Sequence, residues 1–116
     1  MPNSMNDTII LVTNNGMGKA EQELQHKLIG TYLQLLNESE YVPAAICFYT
    51  DGVKLLVEGS PVLESLRVLE SRGVRLIICS TCLNYFNLTE KVQVGIIGSM
   101  ADILEAQFKA SKVITL

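Results

Sequence analysis

Two cysteines, Cys79 and Cys82, stand three positions apart where an apolar run meets polar residues, in LIICSTCLNYF at residues 76–86. Thiols at this spacing can close a reversible disulfide, supply half of a zinc site, or carry sulfur as an activated nucleophile. They can equally be two small core residues. A structural zinc site needs four ligands. Beyond the pair the chain offers only Cys47 and His26, and His26 falls mid-helix on a side expected to face solvent, so no metal is expected.

The chemistry depends on where each sulfur sits. Cys79 reads as the last residue of a buried strand, and Ser80 or Thr81 can cap a short helix beginning near Cys82. Free N–H groups at a helix start favour a thiolate, so either sulfur could be acidified there. The same residues fit a packed arrangement, with Cys79 inside the strand and Cys82 against a neighbouring helix. Exposure decides between the two. Cys47, near the end of the second strand, adjoins Cys79 if those strands are neighbours, and reads as a small buried hydrophobe. Tyr85 and Phe86 either cover the thiols or form an apolar oligomer contact. Asp51 is the best-placed acid and reads as a turn residue.

Other chemistries find less support. A thioredoxin-type site places C-x-x-C after the first strand with a later cis-proline, whereas this pair follows the third strand and the only prolines are Pro2, Pro43 and Pro61. NNGMGK resembles a fragment of a P-loop but lacks the Gly required at Thr13 and the Ser/Thr required at Ala20. Nucleotide hydrolysis is therefore not expected. Asn15, Gly16, Met17 and Gly18, with the helix start behind them, remain a candidate small-anion site, set against a plain glycine turn entering a helix. No Ser–His–Asp set or pair of catalytic carboxylates is visible.

These residues need a scaffold. TIILVT at residues 8–13 and AAICFYTDG at 44–52 are short apolar runs without helical period, the mark of strands buried on both faces. Residues 74–79, 92–97 and 112–116 read as three more strands. Leu24, Leu28, Tyr32, Leu35 and Leu36 recur at helical spacing within residues 20–37. Ser60 as cap and Pro61 at the first position start a helix with Leu63, Leu66, Val68 and Leu69 on its apolar face, running through Ser71. Ser99 caps another over 100–110, while residues 53–61 fit either a short strand or a helical turn. Strands thus alternate with helices, which predicts a parallel sheet with helices on both faces. In such sheets ligands collect beyond the carboxyl ends of the strands, where NNGMGK, YTDG, CSTC and GSM all fall.

The chain has 116 residues, 48% hydrophobic and 18% charged, with net charge −3. That suits one domain with one core. Without a Lys/Arg stripe, nucleic acid is not an expected partner. No window is long and apolar enough for a membrane helix. The polar N-terminus does not read as a leader, and three cysteines are too few for a disulfide scaffold, so a reducing cytoplasm is expected.

Three segments in order carry a resemblance. MGKAEQELQHKLIGTYL, VEGSPVLESLRVLESRGVRLIICSTCLNYFNL and VGIIGSMADILEAQFKASKVITL resemble the DsrE/TusD/YchN-like family, and especially the DsrE-like domain of YedF-type proteins, whose pattern runs V-E-G-S, helix, G-V, strand, C-G-T-C-L. The resemblance implies a three-layer α/β/α sandwich on a five-stranded parallel sheet, with residues 1–7 a disordered extension and 8–116 one domain. It implies a sulfur relay in which a strand-end cysteine accepts sulfane sulfur as a persulfide and passes it on. That position falls on Cys79, with Cys82 a resolving or second acceptor thiol. No cofactor is implied. The implied partners are a TusA-like sulfur carrier and further copies of the chain, as a dimer, trimer or hexamer. The chain departs from the pattern at Ser80, where Gly is usual, at Ala20 and Gln25, which replace glycines of the first motif, and in having no TusA-like C-P-x-P segment. The alternative on the same residues is a non-catalytic interaction or anion-binding module with structural cysteines.

Overall fold

The structure, a computed structural model, describes residues 7–116. Most of the expected extension lies outside them. Asp7 is within, and its carbonyl accepts from the Ser111 and Lys112 N–H groups (2.8 and 3.3 Å). The strands are β1 (Thr8–Val12), β2 (Ala45–Phe48), β3 (Arg75–Cys79), β4 (Ile96–Gly98) and β5 (Lys112–Thr115). The helices are α1 (Gln22–Glu38), α2 (Leu63–Ser71), α3 (Ser80–Tyr85) and α4 (Met100–Lys109), with a 3-10 segment at Thr50–Leu56.

All four strand pairings are parallel, in the order β4-β3-β2-β1-β5. Each parallel step needs a crossover. From β1 to β4 the chain steps one way across the sheet, and from β4 to β5 it returns. Right-handed crossovers therefore put α1 and α2 on one face and α4 on the other. Ile10 and Ile114 accordingly line a pocket with Tyr32 and Leu36 of α1, while Ile9, Ala45 and Arg75 line one with Asp102, Glu105 and Ala106 of α4. The three-layer α/β/α arrangement on a five-stranded parallel sheet is thus the architecture of the chain.

The inner strands are buried on both sides, as their unbroken apolar runs require. Against them pack Ile29 and Leu33 of α1 and Leu66 and Leu69 of α2. Local placement departs from the periodicity in several places. Leu24, Leu28 and Leu35 face outward on α1, because the helix seats itself through Ile29, Leu33 and Leu36 instead. Val68 is exposed on α2, which starts at Leu63: the Ser60 hydroxyl accepts from Val62 N–H (3.2 Å), two residues on, so Ser60 and Pro61 form the turn before the helix. β4 begins at Ile96, because Gln93 N–H is taken by the Leu56 carbonyl and Val92 bridges Val57. Ser99 does cap α4, in a reciprocal pair with Asp102. Among the described residues no helix is long and apolar enough to cross a membrane.

Cys47 lies in the sheet's centre, on the same face as Leu11 and Ile77, its partners in register. Burial pushes its thiol up to about 11, with Arg75 opposing weakly. An unfolded thiol titrates near 9.0. The unfolded chain therefore loses this proton first as pH rises. The stabilising effect is complete below pH 9 and lost as pH climbs through 11. Two units correspond to roughly 2–3 kcal/mol. Denaturant titrations at about pH 8 and pH 10.5 should show the parent losing more stability than Cys47→Ala by an appreciable part of that amount. An equal loss in both would show that Cys47 is not the group responsible.

Candidate functional site

The site is assembled where three chain segments leave the sheet. Tyr49 N–H donates to the Val12 carbonyl (3.2 Å), carrying the β1–β2 ladder one residue past β2. Thr50 then turns the chain with a left-handed φ of 50°. For a β-branched residue that is an outlier, with a cost of about 1–3 kcal/mol. Its hydroxyl donates to the Thr13 carbonyl (2.6 Å), with the Tyr49 carbonyl at the same distance. On the neighbouring strand, β3 ends at Cys79, and α3 follows at once. Cys79 itself occupies the cap position, without the side-chain hydrogen bond anticipated from Ser80 or Thr81. Cys82 lies within α3, and Thr50 N–H donates to its Sγ at 3.1 Å.

The two thiols differ in access, and in the opposite sense to the order expected. Cys79 is 1% exposed, on the sheet face that carries α4, whereas Cys82 is half-buried. The strand-end cysteine is thus sealed within the fold, and Cys82 is the more accessible of the two thiols. Nor is Cys82 acidified by the helix start. Its pKa is raised, chiefly by burial, then by a hydrogen bond with the Cys79 thiol, and further by the charge of Asp51, while the Thr50 N–H alone pulls it down. The site thus holds a thiol that is protonated at neutral pH, with one amide donor ready for the anion.

Around Cys82 lies a small charged and aromatic wall. Asp51 and Lys54 pair at 2.9 Å, one turn apart in the 3-10 segment. Lys54 Nζ also sits 4.4 Å from the centre of the Phe86 ring, a cation–π contact. Phe86 meets Tyr85 edge-on at 5.3 Å, and Tyr85 is largely exposed. Neither ring seals Cys82, which keeps part of its surface. Lys54 and Phe86 share a cleft of about 470 Å³ with Asn15 and His26. His26 is half-buried rather than solvated, and its Nε2 is buried without a hydrogen-bond partner.

The glycine loop is tied to its own helix. Met17 N–H donates to the Gln25 carbonyl (3.1 Å), Gln25 Nε2 to the Gly18 carbonyl (2.8 Å), and Gln22 Nε2 to the Asn15 carbonyl (2.6 Å). Gly16 has φ 143°, and a Cβ there would lie 2.4 Å from that of Gln25. Gly16 lets the loop close on α1, and Glu21 and Glu23 stand at the helix start. The structure brings Asn15 to the cleft edge and leaves Gly16, Met17 and Gly18 in this internal network. Among the described residues no group of three or more His, Cys, Asp or Glu side chains is gathered for a metal ion. Thr50 was not evident as a site residue in the sequence. The available signal was a Thr just after a strand and just before Asp-Gly, where a non-glycine residue must turn the chain.

Comparison with known proteins gives the family and the fold. The family model described as "DsrE/DsrF-like family" matches residues 7–116. No curated protein matches the chain. Among solved structures, YchN from E. coli superposes with a TM-score of 0.68 at 17% identity, covering 94% of this chain and 98% of that one. MTH1491 from Methanobacterium thermoautotrophicum gives 0.69 at 19% identity, covering 94% and 97%. BT1422 from Bacteroides thetaiotaomicron gives 0.69 at 14% identity, covering 97% of each. At such identities the likeness is one of fold.

Proposed function

The chain belongs to the DsrE/DsrF-like family, and on that premise we propose that it is a sulfur-relay protein carrying sulfane sulfur as a persulfide on Cys82. The family is known for sulfur relay. The observation that supports this cysteine is the partly exposed Cys82, whose Sγ accepts from the Thr50 N–H at the carboxyl edge of the sheet. The Cys82 thiolate attacks the outer sulfur of a donor persulfide. The S–S bond of the donor breaks as the new one forms, and the donor leaves as a thiolate. An acceptor thiolate then removes the outer sulfur and releases Cys82 as a thiolate. Sulfane sulfur moves without net oxidation, so no external oxidant is needed. Cys79, which interacts with Cys82 from within the fold, takes no part in the transfer and acts on the Cys82 proton instead.

On this reading the donor and acceptor are separate carrier proteins of TusA-like kind, working in the cytoplasm, where thiols stay reduced. A homo-oligomer is supported by Met100, Leu104 and Phe108, spaced four apart and exposed on α4, with Ile96 and Ile97 exposed on the edge strand. Light scattering that returned the mass of a single chain would remove that element.

The test of the relay is incubation with a small-molecule persulfide followed by intact mass. The protein should gain one sulfur and lose it again to a thiol reductant. No gain at any pH up to about 9, where thiolate is forming, would leave the non-catalytic reading in its place.

A further inference from the structure

We infer that Thr50 is a positioning residue for the Cys82 sulfur, its strained backbone held by its own hydroxyl so that one N–H stays on Sγ. The inference rests on reading Cys82 as the sulfur carrier. Its test does not require sulfur transfer.

A left-handed φ of 50° suits Gly or Asn, and Thr is among the residues least suited to it. Thr50 is exposed, so packing of its side chain does not explain its presence. Its hydroxyl does, because it lies 2.6 Å from the Thr13 carbonyl, just past β1, and at the same distance from its neighbour Tyr49's carbonyl, so its one proton is held between the two segments. The hydroxyl thus fastens the turn after β2 to the strand beside it. The amide of the same residue donates to Cys82 Sγ at 3.1 Å, in the helix that follows the neighbouring β3. One residue thus joins the ends of three strands, and its two polar groups cannot move independently. A glycine would make the turn without strain, but without the anchor, and the amide would be free to swing off the sulfur.

The chemical effect follows from charge. An N–H donor gains far more from a thiolate than from a thiol, so a fixed donor favours the anion that attacks. Burial, the Cys79 thiol and Asp51 all act against that anion, which leaves the Thr50 amide as the group that opposes them. The same donor would hold the sulfur in place when Cys82 is released as a thiolate at the end of each transfer.

Thr50→Gly and Thr50→Ser, compared with the parent, separate this role from mere turn geometry. The rate of iodoacetamide modification of Cys82, read by mass spectrometry of the peptide that contains it, is measured across pH from about 6 to 10. In Thr50→Gly the rise of the profile should move up by about one pH unit. The rate below that rise should fall about threefold, since tenfold less thiolate is partly offset by the greater nucleophilicity of a more basic sulfur. The melting temperature should stay level or rise as strain is relieved. Thr50→Ser keeps the hydroxyl and should keep the parental profile. A parental profile in Thr50→Gly, at a melting temperature no lower than the parent's, overturns the inference. Should Thr50→Gly fail to fold, Thr50→Asn, which tolerates this backbone and lacks the hydroxyl, is judged by the same two outcomes. Failure of sulfur loading in the parent would instead overturn the relay reading while leaving the thiol profile to be measured.

Discussion

Cys82→Ser should abolish the gain of sulfur from a persulfide donor, while Cys79→Ser should still load, at a rate within about threefold of the parent, because a thiol's nucleophilicity and its thiolate fraction change in opposite senses. The asymmetry comes from access. Nucleophilic attack needs the donor's outer sulfur in line with the attacking one, and Cys79 presents almost no surface for such an approach. Removing Cys79 also removes a hydrogen bond that favours the protonated form of Cys82, so Cys79→Ser alters the pH profile without removing the nucleophile. The pH dependence has a definite sign. The Cys82 thiol is raised above its ordinary value of 9.0, chiefly by burial, so the thiolate fraction, and with it the loading rate, should rise by close to tenfold per pH unit between about pH 6 and 8 and should still be rising at about pH 9. The converse result, loading in Cys82→Ser and none in Cys79→Ser, would mean that α3 moves to uncover the strand end. It would restore the assignment drawn from family position.

That reversal shows where the sequence was informative and where it was not. Alternation of apolar runs with amphipathic segments is a property of single elements, and it sufficed for five parallel strands and the layers around them. The C-x-x-C pair stood out because its residue types are scarce and its place after a strand is explicit. Which of the two sulfurs faces solvent depends on how the layers close over the end of β3, and that is set by strand order and crossovers rather than by any local pattern. Leu24 and Leu28 kept perfect helical spacing and still faced outward, since α1 had a second apolar stripe and the sheet selected it. The pKa direction was read from the helix start alone, whereas burial, Cys79 and Asp51 together outweigh it. Thr50 was hidden for another reason. Its role lies in a backbone angle and in two hydrogen bonds to segments 32 and 37 residues away, which no local pattern records.

Gly52→Ala should be the most damaging single methyl that can be added near the site. Gly52 sits two residues past Thr50, buried within the 3-10 segment, and a Cβ there would lie 2.1 Å from the Val12 carbonyl oxygen and 2.8 Å from its carbon. Both are backbone atoms of a central strand, so no side chain can turn aside to make room. Either β1 yields, breaking its ladder, or the Thr50–Leu56 segment lifts away. The cost should be about 3 kcal/mol, at the upper end of overpacking in a tight core, and the melting temperature should fall by roughly 10 °C. Gly18→Ala supplies the comparison: Gly18 has φ 72° but nothing within 4 Å of its missing Cβ, so only backbone strain is added, about 1 kcal/mol. If the segment lifts in the surviving folded protein, Thr50 is carried off both Thr13 and Cys82, and the alkylation profile of Cys82 should shift upward in pH with the loss of stability. Gly18→Ala should leave that profile where it was. A Gly52→Ala protein with parental melting temperature and parental Cys82 reactivity would show that the turn after β2 is not seated against β1. The close approach that places an amide on the sulfur would then need another explanation.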